Sequence, residues 1–348
     1  MTKLKLDLEK IILDYLQNNQ NSSSREIHES IEIVAFATVK RGIQELLNKN
    51  LITTTGKGKA TKYCISSDFE VIYPIDIDTY FEKEIDERAI KSDFNFKLIK
   101  DTLSKLSLFT NEENDKLSNL QKIFTQNIAN LSRAEYNKEF ERLAIDLSWK
   151  SSQIEGNTYS LLETEKLLKE QETASGKTRD EASMLLNHKA ALDFILEHQD
   201  YINPLIISRI EDIHSLLITG LDINKNVRNR RVGISGTNYK PLDNEFQIKE
   251  ALNDMCVLID SKKNIFEKAL LVLVLISYIQ PFSDGNKRTA RIISNAILIY
   301  NNHCPISFRT VDSLDYKKAM LVFYEQNNIS AFKQIFIDQF EFAVKTYF

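Results

Sequence analysis

Apolar residues recur at three- and four-residue intervals along most of this 348-residue chain, a spacing that predicts helices. Leu8, Ile11, Ile12, Tyr15 and Leu16 mark a first amphipathic helix. A second is expected to open at Ser23, where Glu26 completes a capping box, and a third to span about residues 37–48 with Ile43, Leu46 and Leu47 inward. TTTGKGKATKYCI then alternates around two glycines, which is a hairpin signal.

Beyond a mixed, acidic stretch over residues 67–100, read as a connector, helical spacing dominates to the C-terminus. Phe140, Leu143, Leu147 and Ile154 line one face of a helix expected over about 137–156 and stopped at Gly156-Asn157. Capping boxes at Ser160 and Thr178 open two more helices. ALLVLVLISYI, from Ala269 to Ile279, is about half the length of a membrane span and is expected to be a helix buried on all sides. Gly, Asn and Pro in GISGTNYKPLDN, residues 233–244, mark a hairpin between helices. SGKT at Ser175–Thr178 imitates the end of a phosphate-binding loop, but Gln171 stands where a glycine is needed and no strand pattern precedes it, so a turn is expected.

Nine glycines and five prolines are few for this length, which favours a mainly α fold. The balance of 45 basic against 49 acidic residues argues against a chain that coats nucleic acid or membranes throughout. Residues 1–66 are the local exception, with a net of +3. Three short helices and a basic, Gly-tipped hairpin there resemble a winged helix-turn-helix, with Thr38, Lys40 and Arg41 on the third helix and Lys57, Lys59 and Lys62 on the wing. Duplex DNA is one candidate partner of this segment, and a docking protein or a second copy of the chain is the other. Three dispersed cysteines and an N-terminus without an apolar h-region point to a cytoplasmic protein, with no membrane partner.

The strongest chemical signal is QPFSDGNKRTAR, residues 280–291. Pro281 ends the buried helix, and after Gly285-Asn286 an amphipathic helix starts with Ala290, Ile293 and Ile297 on one face. Asp284, Gly285 and Asn286 therefore stand at a helix N-terminus, where free amides and the helix dipole favour an anion. Lys287, Arg288 and Arg291 add cations, Gly285 admits close backbone approach, and Asp284 can hold Mg²⁺. A nucleotide polyphosphate with Mg²⁺ is the expected ligand.

At these residues the sequence resembles the Fic-domain family, whose signature is HxFx(D/E)GNxRxxR. The resemblance implies a helical Fic fold over residues 101–348 and transfer of AMP from ATP to a hydroxyl on a target protein or on the chain itself. It implies that Asp284 binds Mg²⁺, that Gly285, Asn286 and Lys287 line the phosphate site, and that Arg288 and Arg291 take the β- and γ-phosphates. SSQIEGN, residues 151–157, is similar to the family's inhibitory motif, with Ser151 and Glu155 in register. Glu155 would then pair with Arg291 and block the γ-phosphate. Residues 233–244 resemble the family's β-hairpin flap, which pairs with an extended target segment by strand addition and lines the nucleotide site, with Gly236, Thr237, Asn238 and Tyr239 as its expected site residues.

Two residues depart from the commonest pattern. Gln280 replaces the histidine that serves as general base, a loss worth about 10²–10⁴ in rate. Lys287 replaces a glycine and resembles the death-on-curing toxin branch, which phosphorylates its target. The expectation is an autoinhibited, attenuated adenylyltransferase, with a nucleotide-sensing regulator and a phosphotransferase as alternatives. His214, in IEDIHSLL, is expected to pack in the core rather than to replace the missing base.

Overall fold

A computed structural model describes residues 2–31, 34–66 and 68–348. The chain divides into two compact units, one reaching Pro74 and including Lys105–Asn114, the other holding Ile75–Ser104 and Asp115–Phe348.

The first unit holds α1 (Thr2–Asn18), α2 (Ser24–Ile31), α3 (Phe36–Asn48) and an antiparallel pair, β1 (Ile52–Thr55) and β2 (Lys62–Ile65), followed by the short α4 (Phe69–Ile72). α2 opens with the expected box: the Glu26 amide donates to Ser23 Oγ at 3.2 Å and the Ser23 amide to Glu26 Oε2 at 2.6 Å. α3 lies close on α1, since a Cβ at Gly42 would stand 3.0 Å from Ile12 Cδ1. Ile11 is exposed and Leu13 is buried instead, because the buried stripe of α1 runs through Leu8, Ile12, Leu13 and Leu16. Thr38, Lys40 and Arg41 are on the exposed side of α3.

The second unit begins with α5 (Ile77–Phe81), followed in the chain by α6 (Leu103–Lys105), α7 (Asn111–Ala129), α8 (Arg133–Ile154), α9 (Leu161–Glu170), α10 (Arg179–Glu197), α11 (Ile207–Leu217), α12 (Glu245–Ser261), α13 (Ile265–Ile279), α14 (Asn286–Tyr300), α15 (Ser313–Gln326) and α16 (Ser330–Tyr347). Side-chain caps set most of the boundaries. Ser132, Ser160 and Thr178 form capping boxes with Glu135, Glu163 and Glu181, while Asn244, Asn264 and Asp312 cap α12, α13 and α15. The Ser132 box starts α8 at Arg133, ahead of the expected start near 137.

α13 and α14 pair at the centre. α12, α15 and α16 flank α13, and α8, α10 and α11 flank α14. The whole run Ala269–Ile279 is buried, as its unbroken apolar character requires. Ser175-Gly176 forms a turn between α9 and α10. Among the described residues no helix is long and apolar enough to cross a membrane.

The expected β-hairpin flap is corrected. Residues 233–244 turn at Ser235-Gly236 without pairing their own arms, and a single parallel bridge joins Lys240 to Asp93. The Lys240 amide donates to the Ser92 carbonyl at 2.8 Å, so a neighbouring segment takes the hydrogen bond that a hairpin would have used.

Candidate functional site

α13 stops because Gln280 adopts a left-handed conformation (φ 51°) and Pro281 offers no amide to continue it. α14 then starts at Gly285, also left-handed at φ 77°, with no side-chain cap, as α3, α11 and α16 also do, in contrast to the Ser, Thr, Asn and Asp caps of α8, α9, α10, α12, α13 and α15. A Cβ at Gly285 would lie 3.1 Å from the His214 ring, so a side chain there would crowd the ring as well as strain the left-handed backbone. The first turn of α14 therefore keeps its amides available to an anion.

Asn286 folds the loop onto itself. Its Oδ1 accepts from the Phe282 amide at 2.9 Å, and its Nδ2 donates to Phe282 O and Gln280 Oε1, both at 2.9 Å. Gln280 Nε2 donates to Ser277 O at 2.7 Å, so both ends of this side-chain amide are engaged within the loop. From outside, Arg228 braces the same turn, its Nε donating to Gln280 O at 2.6 Å and its amide to Pro281 O at 2.9 Å.

Three cations follow. Arg291 is fully buried, donating from Nε to Ser151 Oγ at 2.8 Å and from Nη2 to Ser151 O at 3.0 Å and Glu155 Oε1 at 2.9 Å. Lys287 Nζ stands 3.3 Å from Glu155 Oε2. Burial pushes the Glu155 carboxyl up, but Arg291 and Lys287 outweigh it and hold the group below the usual carboxylate range. Arg288 is also buried; its Nη2 meets Asp284 Oδ2 at 3.2 Å, yet its Nε and Nη1 have no partner, and neither has Arg291 Nη1. Buried guanidinium donors left unmatched at an uncapped helix start form a built anion cradle.

A cleft of about 440 Å³ opens at this helix start, lined among others by Glu155, Asp284, Asn286, Lys287 and, from α15, Lys317 and Tyr324, while the buried Arg288 and Arg291 are not part of its wall. The flap contributes Gly233, Ile234 and Ser235 to its wall. Gly236–Tyr239, expected at the site, turn away from it. Gly236 O accepts from Arg88 at 2.8 Å, Asn238 Nδ2 donates to Asp86 at 3.0 Å, and the Tyr239 amide donates to Thr237 Oγ1 at 3.1 Å. Tyr239 is buried, stacked on Tyr278, with its hydroxyl donating to Tyr278 O at 2.9 Å. The wall supplied by α15 carries no motif that periodicity or turn chemistry could have singled out.

His214 lies beneath the loop, its ring stacked on Phe282 with centroids 3.7 Å apart and Nδ1 3.3 Å from Thr289 Oγ1. Burial lowers its pKa to about 4, which keeps it neutral and packed. Asp284 is the exposed carboxylate of the loop. A single exposed carboxylate beside an anion cradle has the chemistry that Mg²⁺ needs where phosphates supply its other ligands. Among the described residues no cluster of three or more potential ligands could hold a metal alone.

A left-handed turn, an uncapped helix start and two buried arginines on its first turns define a helix-loop site with the donor chemistry of an anion cradle. Residues 201–298 match the Fic/DOC family, and the chain thus carries a Fic/DOC domain. Among curated proteins it is similar to Protein adenylyltransferase Fic of Nematostella vectensis, 29% identical over 180 residues covering 48% of this chain and 40% of that protein. It is also similar to Protein adenylyltransferase fic-1 of Caenorhabditis elegans, 25% identical over 179 residues covering 49% of this chain and 34% of that protein. The matches thus span well under half of those relatives. In fold it resembles the C. elegans Fic-1 fragment (aa134–508), with a TM-score of 0.58 and 20% identity over 68% of this chain and 72% of that one. A Fic domain containing signaling protein from Bacteroides thetaiotaomicron aligns with a TM-score of 0.56 and 18% identity over 70% and 94% of the two chains.

Proposed function

We propose that the chain is an autoinhibited protein adenylyltransferase of low intrinsic turnover. The observation that carries this is the pair of buried arginines, Arg288 and Arg291, whose unmatched donors stand at an uncapped helix start. A polyphosphate supplies the acceptors they lack. The acceptor hydroxyl oxygen attacks the α-phosphorus, the bond from that phosphorus to the bridging oxygen breaks, and pyrophosphate leaves. Asp284 would hold Mg²⁺, whose charge offsets that of the phosphates. Gln280, a neutral amide already hydrogen-bonded at both ends, is no base, so the hydroxyl proton passes to solvent water, which keeps turnover low.

Glu155 supports the autoinhibition. It takes the guanidinium face of Arg291 that a γ-phosphate oxygen would otherwise occupy, in a charge-assisted bond worth about 1.5–3 kcal/mol. The test is covalent labelling from α-³²P-ATP by wild type, Glu155→Gly, Gln280→His and the double variant. The double variant should label far more than either single one. If it labels no better than Glu155→Gly, the account of Gln280 is wrong.

The engaged amide of Gln280 also favours a second reading, a nucleotide sensor without turnover. Binding of Mg²⁺-ATP with no label in any of the four proteins identifies it, while label from γ-³²P-ATP alone identifies a phosphotransferase. For residues 1–66 the proposal is a winged helix that grips duplex DNA through the exposed Lys40 and Arg41 of α3 and Lys62 of β2. Such binding must weaken steeply with salt, with a log-log slope of about −0.9 per phosphate neutralised. Salt-independent retention, or none at about 50 mM salt, would leave protein docking or self-association as its role.

A further inference from the structure

Arg228 does more than brace the loop. It is 6% exposed, and among the described residues no carboxylate pairs with it. Its acceptors are carbonyls, Gln280 O for Nε and Arg230 O for Nη1 at 2.7 Å, and its Nη2 has no partner at all. The nearby Asp243 is engaged with Arg231 at 3.1 Å. A buried guanidinium without a counter-ion is costly, and carbonyl dipoles offset only part of that cost.

Arg228 lines a second cavity, of about 540 Å³, with Asn224, Asn226, Asn229, Arg230 and Ser283. The segment that builds it, DINKNVRNRR from Asp222 to Arg231, carries four basic residues and one acidic one. Lys225 and Arg230 have no ion-pair partner among the described residues. The one carboxylate in the wall, Glu245, is neutralised by Lys249 at 2.6 Å. Asparagine amides, arginine and an unmatched buried cation are the donor set for an anion.

Ser283 lines both this cavity and the cleft, so the two hollows share part of a wall. The cavity lies on the Arg228 side of the Gln280–Ser283 turn, while Asp284, Asn286 and Lys287 face the cleft.

From this geometry we infer that the cavity is a recognition subsite for an acidic side chain of the acceptor protein, close in sequence to the hydroxyl that is modified. The inference rests on the adenylyltransferase reading for its meaning, not for its chemistry. An aspartate or glutamate seated there gives Arg228 its missing counter-ion and anchors the acceptor beside Gln280. Because Arg228 also holds the carbonyls of Gln280 and Pro281, the same contact steadies the motif loop when an acceptor is present.

The full-length protein is titrated calorimetrically with a hexaglutamate peptide and with a hexaglutamine control at equal ionic strength. Hexaglutamate should bind and hexaglutamine should not. Arg230→Glu, a change at an exposed position, should weaken hexaglutamate by about 10-fold or more, the worth of one charge-assisted bond. Arg228→Lys should also weaken it, because an ammonium cannot reproduce the fork. Equal affinity in wild type and Arg230→Glu overturns the inference. So does a wild type that takes up inorganic phosphate but not hexaglutamate, since the cavity would then be a phosphate site. Mg²⁺-ATP titrated into the same wild-type preparation separates the two readings: hexaglutamate binding without ATP binding supports the subsite and sinks the nucleotide reading, and the reverse sinks the subsite alone.

Discussion

The ammonium of Lys287 stands 3.3 Å from one oxygen of Glu155, while Arg291 holds the carboxylate's other oxygen at 2.9 Å. Two of the three cations of the cradle are therefore turned toward a carboxylate from α8, 136 and 132 residues earlier in the chain. Under the proposed autoinhibition, Lys287 would face Glu155 in the inhibited site and a phosphate once Glu155 is displaced.

Its substitution should have effects that depend on Glu155. In a Glu155→Gly background, Lys287→Met should weaken Mg²⁺-ATP by about 10-fold, the loss of one charge-assisted contact. In the wild-type background the loss should be smaller, because removing Lys287 also loosens the carboxylate that competes with phosphate. A double-mutant cycle on calorimetric affinities reads the difference. Equal losses in both backgrounds would mean that Lys287 and Glu155 act independently and that their contact has no bearing on nucleotide binding.

Arg288 should show binding and stability pulling in opposite directions. Its buried Nε and Nη1 have no partners, so Arg288→Met removes unsatisfied donors from the interior while leaving most of the packing volume. The melting temperature should hold or rise, whereas Mg²⁺-ATP binding should fall by at least about 10-fold. A variant that melts well below wild type while still binding ATP would show that Arg288 is structural.

Local features of this architecture were readable in the chain, and long-range ones were not. The boxes at Ser23, Ser160 and Thr178 stand as expected because a cap is decided within four residues. Pro281 and Gly285 mark the break between α13 and α14 for the same reason. The Glu155–Arg291 pairing could be expected only from family resemblance, since no spacing rule connects residues 136 apart. The flap shows the limit most clearly. Turn chemistry located its bend, but which arm faces the cleft depends on Tyr239 packing against Tyr278 and on Arg88 reaching Gly236, and neither contact leaves a local trace. The wall from α15 and the brace at Arg228 were missed because both act through contacts distant in sequence.

His214 should make the fold sensitive to acid. Burial lowers its pKa from 6.5 to about 4, opposed by a hydrogen bond involving the Asn224 backbone, reinforced by Arg288 and opposed by Asp284. A depressed folded-state pKa contributes stability that is complete above the unfolded value near 6.5 and is lost as pH falls toward 4. A shift of that size corresponds to about 3 kcal/mol. His188, fully buried and lowered by burial and then by Arg291 and Arg288, adds to the loss with the same sign. The melting temperature of His214→Gln should therefore fall less steeply than that of wild type between pH 6.5 and 4. Parallel curves would assign the acid sensitivity elsewhere.

The flap is held by a buried ion pair, and breaking one side of it should be costly. Arg88 Nη1 lies 3.3 Å from Glu325 Oε1, with both side chains almost wholly excluded from solvent, and the hydroxyl of Tyr80 donates to the same carboxylate. Arg88 also rests against the Phe81 ring, 5.0 Å from its centroid, and donates from Nη2 to Gly236 O. Arg88→Met leaves Glu325 buried without its cation and should cost about 3–5 kcal/mol in denaturant unfolding. Replacing both residues, as Arg88→Met with Glu325→Met, should recover much of that loss, because no charge is then left buried alone. The recovery should not extend to the flap. Gly236 O still lacks its donor in the double variant, so proteolytic cleavage within residues 233–238 should be faster than in wild type even where global stability is restored. A single variant that loses less than about 1 kcal/mol would place the pair among ordinary surface bridges, and a double variant cleaved no faster than wild type would show that Arg88 does not hold the flap.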